Sequence, residues 1–62
     1  MDKYSGSTMY VVWLHCRSRR PAFALRFGDR PDDRSLYTQA DRGSIWADSA
    51  EEAIKKYEFW KR

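Results

Sequence analysis

Cysteine, histidine and glycine are all scarce in this sequence, and each scarcity removes a class of chemistry. Cys16 is the only cysteine, so no disulfide can close within the chain. His15 is the only histidine, which excludes the four-ligand Cys/His zinc frameworks. The three glycines, Gly6, Gly28 and Gly43, stand apart, so neither a P-loop nor a dinucleotide-binding fingerprint is present. No apolar run approaches the roughly 18 residues that span a bilayer. The start, Met1-Asp2-Lys3-Tyr4-Ser5-Gly6, lacks the basic-then-apolar pattern of a secretory signal, and a cytoplasmic protein is expected.

A dominant sign of charge is also missing. Twelve Lys/Arg stand against nine Asp/Glu, a net charge of +3 with a pI of about 9.3. That modest bias favours an anionic partner, either nucleic acid or an acidic protein surface. Large apolar side chains are plentiful: 42% of residues are hydrophobic and 16% aromatic, enough to fill the core of one small domain. At 62 residues the chain has room for a single domain, burying only about 60% of the surface it exposes when unfolded.

Residues 1–7 are polar and aperiodic and read as a leader, with the domain spanning 8–62. Residues 9–16 (M-Y-V-V-W-L-H-C) are dense in β-branched and aromatic side chains and predict a strand apolar on both faces. Arg17-Ser18-Arg19-Arg20-Pro21 interrupts them as a basic hairpin loop. Residues 22–27 alternate as a second, antiparallel strand, with Phe23, Leu25 and Phe27 on one face and Ala22, Ala24 and Arg26 on the other. A charged surface loop follows over 28–34. A weaker strand at 35–39 is expected to turn at Ala40-Asp41-Arg42-Gly43 and return as a partner strand at 44–47. Ser49 and Glu52 form an S-x-x-E capping box that starts a helix over 50–61. Its core stripe is Ala50, Ala53, Ile54, Tyr57 and Trp60, while Lys55, Lys56 and Arg62 complement its C-terminus and Phe59 falls on the opposite side. The expected fold is α+β, a three- to four-stranded antiparallel sheet packed against one C-terminal helix.

Catalytic equipment is hard to assemble from these residues. His15 and Cys16 are the only imidazole–thiol pair, and neighbours on a strand point to opposite faces. Asp29, Asp32 and Asp33 lie among Arg30 and Arg34, which fits local salt bridges better than a cation site. The chain is therefore expected to be no enzyme and to need no cofactor or metal. Arg17, Arg19 and Arg20 are the stronger lead, because guanidinium groups at a hairpin tip clamp phosphates or carboxylates in bidentate fashion. A solubilising turn is the alternative reading. Trp13 and Trp46 read as core. Phe59 reads equally as core or as an interface anchor, flanked by Lys55, Lys56 and Arg62.

Ile45-Trp46-Ala47-Asp48-Ser49-Ala50-Glu51-Glu52-Ala53-Ile54, followed by Tyr57 and Trp60, is a strand that runs straight into a capped helix. With the short strands before it, this stretch resembles the small host RNA polymerase inhibitors of T7-like bacteriophages. They share this length, a three-stranded antiparallel sheet and one helix. The resemblance covers mainly residues 44–60, and the family's important arginines lie beyond its helix, so no functional residue carries over. It implies an inhibitory contact with a host protein, RNA polymerase first, in the host cytoplasm. A second resemblance, to the N-terminal arm-binding domains of tyrosine recombinases, implies a sheet set into the DNA major groove with a helix behind it. Those sheets present basic and polar residues outward, whereas Ala22, Ala24 and Arg26 are expected there here, so DNA ranks second as a partner.

Overall fold

Three strands and one helix follow one another along the chain: β1 (Thr8–His15), β2 (Pro21–Arg26), β3 (Tyr37–Ala47) and α1 (Ala50–Lys61). The computed structural model describes residues 6–61, with side chains for all of these but Asp41, Arg42 and Lys61. The strands form one antiparallel sheet in the order β2-β1-β3, and α1 packs across it in contact with all three. This is the expected α+β arrangement. The β-branched and aromatic run of β1 takes the central place because only there are both faces of a strand covered.

β3 departs from the expected hairpin. Its two halves do not pair with each other; both pair with β1, Tyr37 to Gln39 opposite His15 to Trp13 and Ser44 to Ala47 opposite Val11 to Thr8. Residues 40–43, expected to reverse the chain, form a bulge opposite Val12 instead. Gly43 does adopt the left-handed conformation, with φ +73°. There it re-aims the strand rather than ending it, which brings Ile45 and Ala47 under the helix as fully buried residues. The sheet thus counts three strands, or four if the two arms of β3 are taken separately.

The core between sheet and helix holds Val12, Leu14, Ala24, Ala40, Ile45, Ala47, Ala53 and Tyr57, with Tyr10, Ala50 and Ile54 partly buried around it. Ala22 and Ala24 were expected to face outward. Ala24 is instead buried beneath the helix, because small residues let the helix backbone approach the sheet, while Phe23 and Leu25 take the opposite face. Tyr57 sits deeper than Ile54, the expected centre of the stripe, and Trp60 lies at its exposed border.

That opposite face is covered too. β2 and β3 both run antiparallel to β1, so the connector 27–36 must travel back past β1 from beside Tyr10 to the level of His15. It crosses over the face away from α1, its residues lining cavities with Val11 and Gln39 on one side and Phe23, Leu25 and Tyr37 on the other. Trp13 beneath it is 4% exposed, as a core tryptophan. Its indole N–H has no hydrogen-bond acceptor among the described residues.

The helix is anchored at its start and midway along its length. The Glu52 amide donates to Ser49 Oγ at 3.2 Å, the expected N-cap. The Glu52 carboxylate turns to Lys56 Nζ at 3.1 Å, and that ammonium also donates to the Trp46 carbonyl at 2.8 Å. The expected leader reaches into the fold at its last two residues, the earlier ones lying outside the described residues. The Ser7 amide and hydroxyl both donate to Asp48 Oδ1 at 3.1 and 3.2 Å. Gly6, at φ +128°, lies so close to β3 that a Cβ there would stand 2.5 Å from the Ala47 Cα.

Candidate docking surface around the arginine hairpin

The β1–β2 hairpin is built by backbone hydrogen bonds that leave its side chains outside. The Arg19 amide donates to the His15 carbonyl at 2.9 Å and the His15 amide to the Arg20 carbonyl at 3.0 Å, closing the loop 16–20. The Arg20 amide donates to Ser18 Oγ at 3.3 Å. Closing so short a loop places Arg19 at φ 60°, the only non-glycine residue with positive φ among the described residues. Pro21 then opens β2 at the sheet edge, where its missing N–H costs no ladder bond.

Arg17, Arg19 and Arg20 are all exposed, and none pairs with a carboxylate among the described residues. The connector's acids do not neutralise them. Asp33 is engaged locally, accepting from the Ser35 hydroxyl at 2.6 Å and the Ser35 amide at 3.1 Å. Among the described residues the tip therefore has no neutralising partner.

The hairpin is pinned to the end of the connector, where the Cys16 amide donates to the Leu36 carbonyl at 3.0 Å. Between them lies a cleft of about 330 Å³ lined by His15, Cys16, Arg17, Ser35, Leu36 and Tyr37. His15 and Cys16 were expected to point apart. β1 ends at His15, so Cys16 follows the turn rather than the strand alternation, and both residues border one cleft. No hydrogen bond joins the two among the described residues. The His15 ring packs instead on Tyr37 at 5.3 Å, and Tyr37 meets Phe23 edge-on at 4.8 Å.

No family model, curated protein or solved structure matches this chain. Among the described residues, the site residues expected from the sequence fall on two elements, the β1–β2 hairpin and α1. The three arginines form the hairpin tip. Lys55 and Phe59 are exposed on α1, Phe59 at 54%, its ring edge-to-face with Trp60 at 6.0 Å. Lys56 is the correction. Expected to complement the helix C-terminus and to meet a partner beside Phe59, it is 2% exposed and is bonded to Glu52 and the Trp46 carbonyl, holding the helix to β3. Arg62 lies outside the described residues. No hydrogen bond, ion pair or ring contact links the arginine tip to Lys55 or Phe59 among the described residues.

Leu36 and Tyr37 were read from the sequence only as a weak strand. The crossing connector turns the first outward, 55% exposed, and sets the second into the wall of the cleft. A ten-residue link between edge strands leaves no local pattern that announces this. Among the described residues no group of His, Cys, Asp and Glu is placed to hold a metal ion, and no helix is long and apolar enough to cross a membrane.

Proposed function

We propose that this chain is a non-enzymatic docking protein whose arginine hairpin engages an acidic surface on a protein target, a bacterial RNA polymerase in a phage setting being the first candidate. One observation carries the reading: three exposed arginines stand on a hairpin tip with no carboxylate partner among the described residues. Like charges held that close repel one another, and an acidic surface offsets the repulsion while steering association. The choice of RNA polymerase rests on the resemblance over residues 44–60.

Specific features favour protein over DNA as the partner. The sheet face that a groove-inserting domain would present is occupied by the connector 27–36. The exposed surface also carries Phe27, Leu36 and Phe59, side chains suited to a protein interface. Titration with a labelled duplex tests this choice. The chain should bind DNA weakly and without sequence preference, on the order of 10⁻⁴–10⁻⁶ M at physiological salt. Nanomolar binding to a defined duplex at that salt would make DNA the partner.

A further inference from the structure

The arginine tip and the neighbouring cleft share Arg17 and are joined by the Cys16–Leu36 backbone bond, so they form one continuous surface. The cleft is about 330 Å³, at the small end of the roughly 300–1,000 Å³ typical of small-molecule sites and sized for one or two side chains. Its wall is a fixed aromatic, Tyr37, held between His15 and Phe23. Its rim is Leu36, a large apolar side chain left 55% exposed although the connector that carries it is tied down on both sides. An apolar seat beside three cations that lack a described carboxylate partner is complementary to an apolar side chain flanked by carboxylates.

We propose that this surface binds an extended acidic peptide segment of the target, seating one aliphatic side chain against Leu36 and Tyr37 while its carboxylates reach Arg17, Arg19 and Arg20. The inference rests on the docking function above and narrows it to a linear segment with a defined anchor. Charge steers the segment in, and the seat supplies what charge in water does not, namely burial of apolar area.

Nuclear magnetic resonance titration of the full chain tests this with three probes: a ten-residue glutamate peptide with one central leucine, the same peptide with serine in place of the leucine, and a ten-nucleotide oligothymidylate. The leucine peptide should shift the Leu36 methyl and Tyr37 ring signals together with the Arg17 and Arg19 guanidinium signals. It should bind about fivefold to tenfold more tightly than the serine peptide. Leu36→Ser, an exposed substitution whose fold the amide spectrum verifies, should abolish that preference, while Arg17→Ser should weaken both peptides. Equal binding of the two peptides would overturn the seated side chain yet leave the basic tip as a docking element. Binding of neither peptide would remove both. Tighter binding of oligothymidylate through the same signals would make the surface a nucleic-acid site and overturn the proposal.

Discussion

Arg19 pays for its position at the hairpin tip with a left-handed backbone, a conformation that costs a residue with a Cβ roughly 1–2 kcal/mol and glycine little. Arg19→Gly should therefore raise stability by about 0.5–1 kcal/mol, after the greater chain entropy of glycine is subtracted, while weakening target binding. Chemical denaturation reads the first effect, and a variant less stable than the parent would show that the hairpin does not hold this backbone. The two neighbouring lysines give a second contrast. Lys56→Ala removes a buried stem and a charge-assisted bond to the Trp46 carbonyl and should cost about 2–4 kcal/mol; Lys55→Ala, on the exposed side, should stay within about 0.5 kcal/mol. Losses within about 0.5 kcal/mol for both variants would place both side chains in solvent. The sequence announced the Ser49 cap because capping is local in the chain. It did not announce the burial of Lys56, which sits three residues after Ala53 at the border of the apolar stripe, where a long stem reaches a carbonyl ten positions back.

At the scale of elements, β1, β2 and α1 were legible because each carries its own periodicity or cap. β3 was legible only in pieces. The left-handed Gly43 was read correctly from its turn-forming neighbours, but whether such a glycine reverses a strand or bulges it depends on which partner is free. The central strand β1 offered its whole length on that side. The orientation of β2 was likewise undetermined by alternation, since an alternating pattern names two faces and does not say which one meets the helix. Ala24→Leu decides the matter experimentally. A side chain enlarged beneath α1 should cost about 1–3 kcal/mol by overpacking, whereas on an outward face it would change stability by no more than about 0.5 kcal/mol. Urea unfolding of the variant distinguishes the two arrangements, and an unperturbed midpoint would contradict the packing described here.

For the whole molecule, both faces of the sheet are taken, one by α1 and one by the connector, so what is left for a partner is edges, tips and helix backs. The basic tip was visible in the sequence as three arginines in four residues. The cleft beside it was not, because Leu36 and Tyr37 reach it only through a connector that crosses the full sheet. A protein with a net charge of +3 and a concentrated basic tip should find its target by charge and hold it by contact. Association and dissociation rates on immobilised bacterial RNA polymerase, measured against salt for the parent chain and for a folded variant with Arg17, Arg19 and Arg20 all replaced by serine, test this most directly. The account predicts saturable binding by the parent, with association slowed more than dissociation is hastened in the variant and the difference shrinking as salt rises. Association of the triple variant at the parent rate in low salt, or no binding of either protein, would contradict it.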